Sequence, residues 1–183
     1  MKKKQRNYIV KLSIMAMLIA LEVVLNRFCS VNTQFLKLGF GFVPVVVAAN
    51  LFGPVSAAAV WGLSDLVGAN LFPIGPYHPG FTLCAAMMGA VYGILLYRQR
   101  ADSPWIFVRA AIAASVNSII FGLLINTWWV SMLYSSRTYL GYLVMRLPEY
   151  GVMIPLNILV IPVVLKLCEQ LRRYAVPKGT KGK

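Results

Sequence analysis

The sequence predicts an all-α integral membrane protein of six transmembrane helices with the N and C termini cytoplasmic, and three observations carry that expectation. Of 183 residues, 59% are hydrophobic and only 13% are charged. Largely apolar stretches recur along the whole length, and a helix needs about 20 such residues to cross the hydrocarbon layer. Fourteen of the eighteen Lys and Arg fall on one side of the predicted topology. They are Lys2, Lys3, Lys4, Arg6 and Lys11 at the start, Arg98, Arg100 and Arg109 around the fourth connection, and Lys166, Arg172, Arg173, Lys178, Lys181 and Lys183 at the finish. This is the positive-inside pattern. In a soluble chain a net charge of +13 would point to nucleic acid; here its placement assigns it to topology, and no nucleic-acid partner is expected.

The first apolar run spans residues 8–28. A basic start before such a run also resembles a signal peptide, but no A-x-A-like exit follows. Asn26, Arg27 and Phe28 before Cys29 make a poor lipoprotein signal, so the run is read as the first membrane helix. A polar stretch over 29–37 leads to a short second helix over 38–52. Gly53-Pro54 is a tight turn, because glycine suits a helix end and proline a helix start. The third helix reaches residue 72. Three prolines and two glycines within 73–80 exclude regular helix and predict a structured loop. The fourth helix covers 81–97. Pro104 opens the fifth, which runs to 131, and a polar loop over 134–142 precedes the sixth, over 143–171. Pro148, Pro155 and Pro162 predict kinks there. The domain reading is one six-helix membrane domain over 1–176 and a basic cytoplasmic tail over 177–183.

Chemistry is sought among polar groups inside the spans, since an ionised residue at mid-helix costs about 2.5–3.5 kcal/mol on insertion scales. Asp65 lies seven residues before the outer end of the third helix, about 10 Å deep at 1.5 Å per residue. Two readings stay open for it: the floor of a ligand pocket, or an internal ion pair with Arg27 or Arg146. Glu22 has no cation three or four positions away on its helix, which favours a contact with a neighbouring helix, or protonation in place, over ligand binding. Arg27, Lys37, Arg137 and Arg146 form an outer positive rim that attracts an anionic solute, unless each snorkels to lipid phosphate. Phe40, Phe42, Tyr77, Phe81 and the run Asn126-Thr127-Trp128-Trp129 gather on the same side. Aromatic faces with a few amides and a carboxylate suit a flat heteroaromatic ligand.

Enzymatic readings are weak. His78 is the sole histidine, which excludes a multi-histidine metal site, and Gly62-Leu63-Ser64-Asp65 matches the G-x-S pattern of intramembrane serine proteases only loosely. No phosphate-binding loop is present, so the chain is not expected to hydrolyse ATP. No metal or cofactor is expected, and Cys29, Cys84 and Cys168 are read as packing residues. Ala16 and Ala20, four apart on the first helix, make a small-xxx-small face fit for bundle packing or for a second subunit.

Taken in order, several of these motifs resemble the substrate-binding S components of energy-coupling factor (ECF) transporters, and most closely their folate-specific branch. The carriers are Ala16 and Ala20, Leu25-Asn26-Arg27-Phe28, Gly53-Pro54, Gly62 with Asp65, Pro73-Ile74-Gly75-Pro76-Tyr77, Pro79-Gly80-Phe81-Thr82 and Asn126-Thr127-Trp128-Trp129. The resemblance implies a six-helix subunit that captures a vitamin outside a bacterial plasma membrane. It also implies a membrane coupling (T) subunit, met by the Ala16–Ala20 face, and two cytoplasmic ATPase subunits that do the ATP work.

Folate has a donor-rich pterin edge and a tail with two negative charges. Arg27, Lys37, Phe40, Asp65, Tyr77, His78, Phe81, Asn126, Thr127, Trp128 and Arg146 are therefore the expected substrate-binding residues. Cationic thiamine is repelled by the same rim, while riboflavin and biotin remain alternatives. A membrane assembly protein that binds no solute is a second class.

Overall fold

The structure, a computed structural model, describes residues 3–32, 37–73, 75–134 and 138–175. Helix α1 runs Lys3–Arg27, α2 Phe42–Phe52, α3 Pro54–Leu71 and α4 Pro79–Leu96. Next come α5 (Ile106–Ser115), a π-helical segment (Val116–Ile125) and α6 (Asn126–Leu133), which form one continuous rod, and then α7 (Tyr139–Ala175). Between α1 and α2, a two-residue antiparallel ladder pairs β1 (Val31–Asn32) with β2 (Lys37–Leu38). Among the described residues the regular structure is thus helical apart from that small ladder, which lies at the polar stretch expected over 29–37. The tail over 177–183, the loop residues Ile74, Ser135, Ser136 and Arg137, and the Lys37 side chain lie outside what the structure describes.

Four stretches among the described residues are long and apolar enough to cross a membrane: Gln5–Arg27, Pro79–Leu96, Ile106–Leu133 and Tyr139–Gln170. The other two helices differ for local reasons. Helix α2 starts four residues later than expected, and its 11 residues reach only about 16 Å. Asn50 apart, it is apolar on every side, as a helix enclosed by others must be. Val45, Val46, Ala48 and Ala49 are wholly buried, and α2 packs on α1, α3, α4 and α7. Helix α3 has the length but carries Ser56, Ser64, Asp65 and Asn70. Ser64 turns inward and donates to its own helix at Val60 O, 2.6 Å away.

Small residues let α3 and α4 approach closely, as is usual where lipid gives no hydrophobic drive between helices. A Cβ at Gly89 would stand 2.5 Å from the Ala57 carbonyl oxygen, one at Gly62 would stand 3.2 Å from the Ala86 Cβ, and one at Gly93 would fall on the Pro54 backbone. Gly53, at φ +88°, supplies the left-handed turn that reverses α2 into α3, and Pro54 opens α3. The expected Gly-Pro turn is therefore present with its expected geometry.

Contacts bring the first half of α1, the ends of α2 and α4 and the last turns of α7 together at one end of the bundle. At that end Lys11 lies over the Phe52 ring, Asn50 Nδ2 donates to Leu96 O and Gln99 O at 2.8 and 3.0 Å, and Glu169 Oε1 accepts from Ala101 N at 2.8 Å. At the other end Phe28 meets Phe72 edge to face, with ring centroids 5.1 Å apart, and Gly80 presses on the Trp129 indole. Ala16 and Ala20 are exposed on the outer face of α1, so they are not used in packing within the bundle.

Candidate functional site

A cavity of about 370 Å³ opens at the end of the bundle that carries Arg27 and the α3–α4 loop. Its wall takes residues from α1, the start of α2, α3, α4, the π-helical segment, α6 and α7. That volume is within the range of small-molecule sites, about 300–1,000 Å³, and the mixture of aromatic and polar lining is typical of them.

Of the sequence-predicted site residues, Arg27, Asp65, Tyr77, Phe81, Asn126 and Arg146 line this cavity. Arg27 closes α1 with its guanidinium against Gly68 of α3, where a Cβ would stand 3.0 Å from Nε. Among the described residues it makes no ion pair and no hydrogen bond, so a half-buried cation faces the cavity uncommitted. Asp65, one turn before Gly68, likewise pairs with neither Arg27 nor Arg146; of the two readings open for it, the internal ion pair is absent among the described residues. Instead Asp65 Oδ2 accepts from Thr82 Oγ1 at 2.7 Å, and Thr82 Oγ1 lies 2.9 Å from Tyr77 Oη.

Arg146 is engaged differently. Its guanidinium donates to Thr127 Oγ1 at 3.3 Å and Tyr150 Oη at 3.2 Å, and lies 3.7 Å from Glu149 Oε2. It therefore braces α6 against α7 while presenting one edge to the cavity. Arg146→Ala is expected to remove about 2 kcal/mol of stability through these charged hydrogen bonds, seen as a lower melting temperature of the ligand-free protein.

The remaining predicted residues are placed elsewhere. Thr127 is fully buried behind Arg146, as its acceptor. Trp128 points away from the cavity, 57% exposed, and stacks on Trp129 with centroids 6.3 Å apart. His78 caps α4: its Nδ1 accepts from Gly80 N at 3.0 Å, and its ring stacks on Trp129 at 4.6 Å. Phe40 is exposed beside Phe42, and Phe42 is the ring on the wall. For Lys37 only the backbone is described. One helical step of 100° separates neighbours, so Asn126, Thr127, Trp128 and Trp129 face four different surroundings.

Sequence reasoning missed much of the wall. Trp61 and Tyr92 stack 5.8 Å apart, at 16° between planes, and both line the cavity. Glu22, read from sequence as a contact with a neighbouring helix or as protonated in place, is 1% exposed on the wall and accepts from Asn26 Nδ2 at 2.9 Å. Asn117, Ser118, Tyr150 and Asn157 complete the polar lining. The buried Oδ1 atoms of Asn126 and Asn157 have no hydrogen-bond partner among the described residues, and groups in that state require a ligand or water.

The π-helical segment has a role in this. Its i→i+5 spiral is wider than an α-helix, and it brings Asn117, Gly122 and Asn126 onto the cavity wall at steps of five and four. Gly122 leaves room for the Tyr150 ring, 2.6 Å from where a Cβ would be. No periodicity in the sequence signals this segment; the polar residues Asn117 and Ser118 inside an apolar run were the available clue.

Comparison with known proteins bears on the same site. The family model for the ECF transporter substrate-specific component matches residues 10–165. A protein named folate transporter FolT from Clostridium novyi (strain NT) is 34% identical over 157 residues, 86% of this chain and 88% of that protein. A FolT from Leuconostoc mesenteroides subsp. mesenteroides is 26% identical over 149 residues, 79% and 78% of the two chains. The crystal structure of FolT bound with folic acid superposes with a TM-score of 0.75 at 30% identity, covering 84% of this chain and 90% of that one.

Proposed function

The chain belongs to the ECF transporter substrate-specific components, and on that premise we propose that it captures folate from outside the cell and delivers it through an ATP-driven coupling module. It is a transport subunit, not an enzyme. The observation that carries the folate reading is the cavity itself, whose wall holds the uncommitted Arg27 cation, the Asp65 carboxylate and a stacked Trp61–Tyr92 pair. Folate needs a cation for its carboxylate tail, acceptors for the donor edge of its pterin, and flat faces for stacking.

The six rods are read as six crossings of a bacterial plasma membrane. Helix α2 is too short to cross alone, so the bundle completes the span around it. The end bearing Lys11, Arg98, Arg100, Arg109 and Lys166 is assigned to the cytoplasm by its positive charge, which leaves the cavity open to the exterior. The exposed Ala16–Ala20 face of α1 is the proposed contact with the membrane coupling subunit, whose two ATPase partners supply the energy. The six wall residues named above are the proposed folate contacts from the sequence set, joined by Glu22, Trp61, Tyr92, Asn117, Tyr150 and Asn157.

Titrating the purified protein with folate, riboflavin, thiamine and biotin, with tryptophan fluorescence as the signal, tests this reading. Trp61 on the wall reports occupancy. A saturable change with folate at sub-micromolar concentration, and none with thiamine, is the expected result. Preference for riboflavin or biotin would overturn the folate assignment, and silence with all four would overturn vitamin capture.

A further inference from the structure

The loop between α3 and α4 is tied at both ends. On one side Phe72 packs on Phe28, and on the other His78 caps α4. Its cavity-facing part, with Gly75, Pro76 and Tyr77 on the wall, is held by less. Gly75 sits where a Cβ would be 2.8 Å from Tyr134 Oη, and Tyr77 Oη lies 2.9 Å from Thr82 Oγ1.

The direction of the bonds at Thr82 is fixed by proton count. A threonine hydroxyl has a single proton, and Thr82 gives it to Asp65 Oδ2 at 2.7 Å. Toward Tyr77 it has only lone pairs left, so the Tyr77 phenol donates. The result is a one-way chain, Tyr77 to Thr82 to Asp65, linking the loop, α4 and α3. Asp65 Oδ1 makes no hydrogen bond among the described residues, which leaves it to a donor in the cavity.

We propose that Thr82 is a positioning residue for ligand retention: its hydroxyl joins the ligand-facing carboxylate of Asp65 to Tyr77, so that a bound ligand and the loop hold each other in place. Thr82 does not line the cavity and acts through its two neighbours. A ligand that donates to Oδ1 fixes the carboxylate, the fixed carboxylate fixes Thr82, and Tyr77 stays over the cavity. The chain therefore controls departure of the ligand more than its arrival. This inference rests on the folate reading for the identity of the ligand.

Stopped-flow fluorescence with folate on the wild type, Thr82→Val, Thr82→Ser and Tyr77→Phe separates the possibilities. Valine keeps the shape and removes the hydroxyl. One lost hydrogen bond to a charged group corresponds to about tenfold, so Thr82→Val is expected to release folate about tenfold faster with an unchanged association rate. Thr82→Ser should restore the wild-type rate. Tyr77→Phe should match Thr82→Val, with no further loss in the double variant, as expected of residues in one network.

Equal release rates for wild type and Thr82→Val would overturn the proposal, as would failure of serine to rescue, which would mean that the methyl group acts by packing. Wild type that fails to bind folate would sink the functional reading instead. In that event, amide hydrogen exchange of the ligand-free protein decides on the chain alone: the amides of Gly75, Tyr77 and His78 must exchange faster in Thr82→Val, and unchanged protection would reject it.

Discussion

Arg27→Ala is expected to weaken folate binding at least about 30-fold while leaving the melting temperature of the ligand-free protein unchanged or slightly raised. Truncating one partner of a buried charge pair costs about 2–5 kcal/mol, and 2 kcal/mol is about 30-fold in Kd. The second half of the expectation follows from the surroundings of the guanidinium. In the ligand-free protein it has no ion pair and no hydrogen bond among the described residues, so its removal breaks nothing and relieves an uncompensated charge. Arg27→Lys keeps the charge but loses the planar fork that pairs with a carboxylate in two places, and should fall between the two. Isothermal titration and a thermal melt on the same preparations read both quantities. A fall in stability as large as that seen for Arg146→Ala would show that Arg27 is structural, and unchanged affinity would remove it from the site.

The second large effect comes from helix packing and not from a ligand contact. Gly93→Ala is expected to disrupt the α3–α4 contact, because the added Cβ falls on the backbone of Pro54, which has no side-chain freedom with which to move aside. Overpacking in a well-packed core costs about 1–3 kcal/mol, and a clash with backbone lies at the upper end. The variant should melt lower and yield less folded protein. Gly151→Ala is the matched control: nothing lies within 4 Å of a Cβ there, so alanine should be neutral or, through its better helix propensity, slightly stabilising. Equal melting temperatures for the two variants would mean that α3 and α4 do not depend on close approach.

Local chemistry made a good part of this molecule readable. Gly53-Pro54 could only be a helix break followed by a helix start, and Pro73 and Pro76 keep the α3–α4 loop irregular, whereas Pro79, expected in that loop, opens α4 at a position where proline is tolerated. Those boundaries depend on backbone donors and dihedral limits that belong to the residues themselves. Arg27 and Asp65 stood out because charge within an apolar run has a cost that some contact must offset. The reading failed where orientation mattered. Trp128 was grouped with Asn126 as a ring for the ligand, yet two positions along a helix differ by 200°, and the rod turns Trp128 outward. Glu22, for which the sequence favours a contact with a neighbouring helix or protonation in place, does lie against the start of α2, and only its place on the cavity wall could not be read. Gly41 marks that contact, since a Cβ there would stand 3.1 Å from Glu22 Oε1.

The sequence by itself determined that the chain lives in a bilayer, where its helices are interrupted to within a few residues, which segments are basic, and which family its ordered motifs resemble. Each of these depends on sums or spacings along the chain. Only the tertiary structure decided which polar groups share one cavity. Trp61, Tyr92, Asn117 and Asn157 come from four different rods, and their meeting depends on how each rod is rotated about its axis. In lipid, an apolar residue facing the membrane and one facing the core are chemically alike, so hydrophobic periodicity does not fix that rotation. Close packing at Gly62, Gly89, Gly93 and Gly122 does.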